Sequence, residues 1–115
     1  MQKYHAVKTE YKGVVYDSKW EATRAYELDM LQRAGKIKDL RTQVRFILQE
    51  DYVNNKGQKI RPISYIADFV YIDHKGNKIV EDTKSPATRT QVYAVKKKMF
   101  EYKYPDYLFV ERVKK

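Results

Sequence analysis

Three carboxylates and one lysine fall at positions where the hydrophobic pattern predicts apolar side chains. In a predicted strand, alternation places Asp68 on the same face as Ile66 and Val70. In the next predicted strand Asp82 shares a face with Lys84, and the turn at 74–77 joins the two strands as a hairpin. Burying an ionised carboxylate is costly unless it is paired or bound to a metal, and two carboxylates repel each other. The pattern therefore calls for a cation near Asp68 and Asp82.

A third carboxylate, Glu21, points inward from a predicted helix. At 100° per residue it falls between Ala25 and Leu28 on the apolar stripe. The alternative is a helix cap, because Ser18 and Glu21 fit the S-x-x-E capping box. Taken alone, Glu21 fits the cap better than a ligand.

The two aspartates also have structural alternatives. Asp68 can pair with Lys84 or Arg61, and Asp82 with Lys84 can form an ordinary surface ion pair of little energetic value. Each alternative explains one residue taken alone. Together they are less convincing, because three inward acids and a lysine from different elements converge in the order Glu, Asp, Asp-x-Lys.

The elements that must position these residues follow from periodicity and from Pro and Gly signals. A helix is predicted from Ser18 to Gly35, and a second helix within 88–104 that stops at Pro105. The predicted strands are 11–16, 37–52, 62–73, 78–84 and 107–113. The fold class expected is α/β, an α+β sandwich with the order helix, three-strand meander, helix, strand, in a single domain spanning 1–115.

Composition narrows the class of protein. The chain has 115 residues, 24 Lys+Arg against 15 Asp+Glu (24 − 15 = +9), and no cysteine, which rules out a disulfide framework or a thiolate metal site. It has neither a signal-like apolar stretch at the N-terminus nor an apolar run of about 20 residues, so we expect a cytoplasmic protein without a membrane partner. The positive charge predicts a polyanionic partner, most simply nucleic acid.

The motif Asp68, thirteen intervening residues, then Asp82-Thr83-Lys84 resembles the PD-(D/E)XK nuclease signature. The usual core of that superfamily, helix, three-strand meander, helix and strand around a mixed sheet, matches the element order above. Glu21 resembles the additional acid of archaeal and phage Holliday-junction resolvases. Nearly the whole chain is similar to a family of small phage and prophage proteins placed among resolvase-like nucleases. Ala67 stands where the motif name has proline.

This resemblance implies a metal-dependent phosphodiesterase site. Asp68, Asp82 and the backbone carbonyl of Thr83 would hold Mg²⁺, with Mn²⁺ as a substitute, since Mg²⁺ prefers oxygen ligands. Glu21 would complete that site or hold a second metal, and Lys84 would orient the attacking water or stabilise developing charge. Two further residues are accessory candidates: Gln91 and Glu81, of which Glu81 competes with Asp82 for the role of ligand.

The second helix is a candidate DNA contact. Its predicted apolar stripe consists of Val92, Val95, Met99 and Tyr102. The lysines beside that stripe and several arginines are candidates to engage phosphates: Lys96, Lys97, Lys98, Arg89, Arg41 and Arg45. The alternative, equally weighted for the helix, is a solvated face with cations near the helix C-terminus.

The sequence thus predicts a Mg²⁺-dependent DNA endonuclease with a restriction-endonuclease-like core, acting on branched DNA such as a Holliday junction. Cutting two strands symmetrically needs two active sites, so we expect a homodimer. One alternative is a non-catalytic basic DNA-binding or architectural module. Another keeps the nuclease and changes its substrate to single-stranded, flap or nicked DNA.

Overall fold

The computed structural model describes residues 7–84 and 90–113, with side chains for 7–83 and 90–113. Within these ranges two helices and eight strands follow one another. They are β1 Thr9–Tyr11, β2 Val14–Tyr16, α1 Lys19–Arg33, β3 Lys38–Gln49, β4 Tyr52–Val53, β5 Lys59–Ile60, β6 Ile63–Ile72, β7 Lys78–Lys84, α2 Gln91–Lys103 and β8 Tyr107–Val113. The predicted order of elements is confirmed, with a small β4–β5 hairpin added between β3 and β6.

The main sheet has four strands in the order β3-β6-β7-β8. β3 pairs antiparallel with β6 and β6 antiparallel with β7, whereas β8 joins β7 in parallel. A parallel neighbour requires a crossover connection, and α2 supplies it between β7 and β8. The protein is therefore a mixed α+β fold with a mixed sheet.

Each helix covers one face of this sheet. On the first face Ala22, Ala25 and Leu28 of α1 pack with Phe69 and Tyr71 of the sheet. On the other face Phe100 of α2 packs with side chains of the same sheet: Phe46, Leu48, Tyr65, Ala67, Val70 and Val80. We call these the α1 face and the α2 face. None of the helices in the described ranges is long and apolar enough to cross a membrane.

The ends of α1 are set by the predicted signals. Ser18 is the N-cap, and its hydroxyl accepts a hydrogen bond from the Glu21 N–H at 3.1 Å. At the other end Gly35 has φ 75 and donates to the Gln32 carbonyl, while Lys36 donates to that of Leu31, which together form a Schellman motif. Glycine suits this position because a side chain in the left-handed region is strained.

Of the predicted apolar stripe of α2, only Met99 packs against the core. Val92, Val95 and Tyr102 are exposed, Tyr102 by 91%, whereas Phe100 is fully buried. The helix carries two overlapping stripes, and the one rich in aromatic rings is the buried one: Tyr93, Phe100 and, just past the helix, Tyr104 pack into the α2-face core. Aromatic rings remove more apolar area from water than valines do.

Candidate active site

β6 and β7 separate at Asp68. Their ladder of paired residues runs from Ile72–Lys78 to Phe69–Glu81. One step further, the Asp68 carboxylate takes the place of a backbone acceptor: its Oδ2 accepts hydrogen bonds from the Thr83 N–H at 2.7 Å and from the Thr83 hydroxyl at 2.9 Å. β7 continues beyond this point, paired with β8. We call this divergence of the two strands the fork.

Asp82 lies at the fork opposite Asp68 and is almost completely buried, at 3% exposure. Its Oδ1 accepts a hydrogen bond from the Tyr65 hydroxyl at 2.8 Å. Burial, then Asp82 and more weakly Asp68, raise the pKa of Tyr65 far above its usual range. The Tyr65 hydroxyl therefore keeps its proton and remains a hydrogen-bond donor beside both aspartates. The fork thus brings together Asp68 and Asp82, the two acids predicted from the sequence.

The direction of side chains along β6 changes at Asp68. Tyr65 and Ala67 belong to the α2 face, but Phe69 and Tyr71 belong to the α1 face. Strict alternation would keep all four on one face. The partner strand is distorted at the same level: Gln43, which lies opposite Asp68 between two regular pairs, has φ 53. A non-glycine residue at positive φ inside a strand is strained, and such strain collects at functional sites.

Glu21 points inward, as predicted, with 8% exposure. It lies near the hydroxyl of Tyr16, whose pKa is raised first by burial and also by Glu21. Among the residues with described side chains there is no group of three or more acids or histidines close enough to hold a metal ion. Glu21 is therefore not brought into one metal-binding cluster with Asp68 and Asp82.

Glu81 has a different environment from its neighbour Asp82. It is completely buried on the α1 face and accepts hydrogen bonds from Arg24 Nε at 2.6 Å, the second Arg24 nitrogen at 3.0 Å and the Tyr71 hydroxyl at 2.8 Å. Arg112 Nε adds a longer contact at 3.4 Å. Such contacts tie β7 to α1, and they favour Asp82 over Glu81 as the acid of the motif.

The other predicted site residues are spread over the fold. Lys84 ends β7 opposite Val113, and its side chain lies outside the described residues, as does Arg89. Gln91 is the exposed first residue of α2. Arg41 is exposed on β3, pairs with Val70 two residues after Asp68, and borders a surface cleft of about 490 Å³ with Lys78. Arg45 is exposed on β3 and pairs with Ile66, two residues before Asp68.

The three α2 lysines predicted to contact DNA are not equivalent. Lys98 is exposed, while Lys96 and Lys97 are half-buried. Lys97 Nζ lies 5.3 Å from the Phe109 ring centroid and 3.5 Å from Glu101 Oε2. A lysine stem commonly covers apolar surface while its charged end stays near water. Of the three, Lys98 is therefore best placed to meet a partner.

The donor chemistry at the fork fits Mg²⁺. Mg²⁺ is usually held through one or two carboxylates, several waters and the phosphates of a substrate. Asp68 and Asp82 supply two carboxylates from adjacent strands, and Thr83 lies between them. A carboxylate has about four lone-pair sites, so the hydrogen bonds from Tyr65 and Thr83 do not by themselves prevent a metal from binding.

Sequence reasoning missed three residues around the fork. Tyr65 and Arg24 had signals: a buried tyrosine hydroxyl usually needs a partner, and Arg24 lies on the same helical stripe as Glu21. Glu111 had none, because it lies beside Asp82 only through the parallel β7–β8 register. Its Oε2 accepts a hydrogen bond from the Tyr93 hydroxyl at 2.6 Å, so a second tyrosine–carboxylate pair flanks the first.

The fold and the fork define a mixed α+β protein with two aspartates on diverging neighbouring strands. Residues 1–115 match the model of the DUF1064 family, described as proteins of unknown function, and the chain belongs to this family. Neither the curated proteins nor the solved structures contain a match.

Proposed function

We propose that this protein is a divalent-metal-dependent DNA endonuclease with a restriction-endonuclease-like core. We further propose that it acts on branched DNA such as a four-way junction in the cytoplasm of a bacterial cell. The observation that carries the proposal is the fork, where the acids of the Asp68 and Asp82-Thr83-Lys84 motif meet. The distortion opposite Asp68 and the net charge of +9 support it.

The residues of the fork hold the acids in place. Thr83 fixes Asp68 through two hydrogen bonds to one oxygen, and Tyr65 fixes Asp82 from the α2 face. Because both donors are themselves on strands of the main sheet, the two carboxylates have little freedom to move apart. Such preorganisation removes the cost of ordering the site when substrate arrives.

Asp68 and Asp82 would hold Mg²⁺ or Mn²⁺, together with the Thr83 carbonyl. The metal would lower the pKa of a bound water and offset charge on the scissile phosphate. Lys84 follows Asp82 by two residues, and the resemblance gives it the role of orienting the attacking water. Glu21 remains a candidate outer ligand that would contact a metal through water.

Metal-dependent cleavage of a labelled four-way junction tests this proposal. Wild type should cut the junction with Mg²⁺ and not with EDTA. Asp68→Asn, Asp82→Asn and Lys84→Ala should each lose at least about a hundredfold in rate, the usual contribution of a group that acts directly in the transition state. Asp106→Asn is the matched control, since Asp106 is an exposed carboxylate in the turn before β8.

Unchanged cleavage in all three fork variants would rule out the site. Loss of cleavage in Asp106→Asn as well would show that the assay reports folding or net charge. Linear duplex, nicked, flap and single-stranded substrates of the same sequence belong in the panel, because they decide between a junction-selective enzyme and the broader nuclease.

A non-catalytic DNA-binding module is the second candidate, favoured by the positive charge and by the structural ion pairs of Glu81. Metal binding separates the two. If the fork is a metal site, Mg²⁺ or Mn²⁺ raises the melting temperature of wild type but not of Asp82→Asn. Equal melting temperatures with and without metal would favour the module.

The proposed enzyme would be a homodimer, because two cuts across a symmetric junction need two active sites. Light scattering at micromolar concentration should give twice the mass of the 115-residue chain. A monomer under conditions in which the protein cuts both strands at the same point of a junction would contradict this.

A further inference from the structure

One end of the β3–β6 ribbon extends beyond the cover of α1. We call this part the β-arm: residues 45–49 of β3, residues 63–67 of β6, and the connection 50–62 that contains the β4–β5 hairpin. The described molecule is elongated, with a radius of gyration of 16.1 Å against about 13 Å expected for a compact chain of this length.

The base of the β-arm is held firmly on its α2 face. Phe46, Leu48 and Tyr65 pack with Phe100 of α2. The Tyr104 hydroxyl, just past α2, donates to the backbone carbonyl of Ile47 at 2.8 Å. The β-arm is therefore a projection in a fixed direction from the sheet rather than a loose loop.

The β-arm presents apolar side chains to solvent. Ile66 lies between Tyr65 and Ala67, which face α2, so it points to the other side, where it is 57% exposed. Ile63 shares the face of Tyr65 by the same alternation and is also exposed, as are Tyr52 and Val53 of the β4–β5 hairpin. Exposed large apolar residues grouped on one projection commonly mark an interaction surface.

The β-arm also carries more exposed cations than anions. Exposed on the β-arm are four cations, Arg45, Lys56, Lys59 and Arg61, and two anions, Glu50 and Asp51. Within the described part of the chain none of these four cations forms an ion pair. Their charge is available to an anionic partner, and a second copy of a chain with net charge +9 would bring like charge instead.

We propose that the β-arm binds the DNA duplex that flanks the fork. This inference rests on the proposed function, because it assigns the β-arm to the substrate of that same site. Ile66 is two residues from Asp68 and Ile63 is five, so the β-arm extends from the fork for about 17 Å. Duplex DNA carries one phosphate charge per about 1.7 Å with both strands counted, so this length of duplex carries about ten phosphates. A two-stranded ribbon also fits the major groove, which is about 12 Å wide.

DNA binding without metal tests the β-arm separately from cleavage. The probe is a fluorescein-labelled 30-base-pair duplex in EDTA, followed by fluorescence anisotropy at several salt concentrations. The arm variant is Lys59→Gln/Arg61→Gln. The control is Lys36→Gln/Lys75→Gln, which removes the same charge from exposed positions at the other end of the β3–β6 ribbon.

The arm variant should bind the duplex about tenfold or more weakly at physiological salt. Its slope of log affinity against log salt should fall by about 1.8, corresponding to two lost phosphate contacts. The control should match wild type. Equal affinities of the arm variant and the control would overturn the inference, and so would an arm variant that turns a dimer into a monomer without weakening DNA binding.

The result also separates the inference from the proposed function. If the arm variant binds weakly and wild type never cuts DNA, the β-arm assignment stands and the nuclease proposal fails. If wild type cuts DNA and the arm variant binds as the control does, only the β-arm assignment fails. A wild type that binds no DNA contradicts both.

Discussion

Replacing Glu81 by glutamine should destabilise the fold far more than any surface substitution. Glu81 is completely buried and accepts two hydrogen bonds from Arg24 and one from Tyr71. In Glu81→Gln the Arg24 guanidinium, 10% exposed, loses its buried counter-charge. Breaking a buried ion pair from one side costs about 3–5 kcal/mol, because the remaining charge stays desolvated. That is a large part of the roughly 5–15 kcal/mol by which a domain is stable.

The assay is urea unfolding followed by the fluorescence of Trp20, the single tryptophan. The matched control is Glu27→Gln, because Glu27 contacts the same Arg24 at 3.2 Å but is 48% exposed. An exposed ion pair is worth at most about 1 kcal/mol. The double variant Arg24→Met/Glu81→Met should regain most of the loss, since it removes both charges of the buried pair.

Equal costs for Glu81→Gln and Glu27→Gln would refute this reasoning, because burial would then make no difference. A double variant as unstable as Glu81→Gln would show that shape, rather than uncompensated charge, sets the cost.

Three further predictions concern other contacts. Tyr65→Phe removes a hydrogen bond to the buried Asp82 carboxylate, so urea unfolding should show a loss of about 1.5–3 kcal/mol. Asp29→Asn should flatten the acid unfolding curve: a hydrogen bond from Lys12 lowers the pKa of Asp29 from 3.8 to about 2, so its stabilisation is complete above pH 3.8 and is lost as the pH falls through about 2. Gly35→Ala should cost about 1–2 kcal/mol in urea unfolding, because φ is 75 there.

Each of these three predictions has a control variant or an outcome that would contradict it. Tyr104→Phe removes a hydroxyl that donates to the neutral Ile47 carbonyl, so it should cost less than Tyr65→Phe, about 0.5–1.5 kcal/mol; a reversed order would contradict the charge-assisted bond. Thermal melts between pH 2 and 5 should separate Asp29→Asn from wild type but not Asp106→Asn. A Gly35→Ala variant as stable as wild type would argue against the Schellman geometry at the end of α1.

Local signals were sufficient to predict most of the fold. Ser18 and Gly35 delimit α1 through capping chemistry, which depends only on nearby residues. β7 and β8 were predicted at their observed bounds, because each begins directly after a turn or proline signal. The β4–β5 hairpin was not predicted as separate strands, since strands of two residues leave almost no periodicity.

Predictions that depend on distant partners succeeded less often. Sequence alternation placed Asp82 and Glu81 on opposite faces of β7, and the structure confirms this. It could not show that Arg24 crosses from α1 to Glu81, nor that the direction of side chains changes at Asp68. The prediction of the buried stripe of α2 was mostly wrong for the same reason, because only the tertiary fold decides which of two apolar stripes packs against the sheet.

The central claim is that the fork between β6 and β7 binds a catalytic divalent metal. The most direct measurement is the anomalous scattering of Mn²⁺ in crystals of wild type grown under conditions in which the protein cuts DNA. We expect a peak bonded to oxygens of Asp68 and Asp82, and no peak in Asp82→Asn. Mn²⁺ bound elsewhere, with the fork empty in a protein that still cuts DNA, would contradict it.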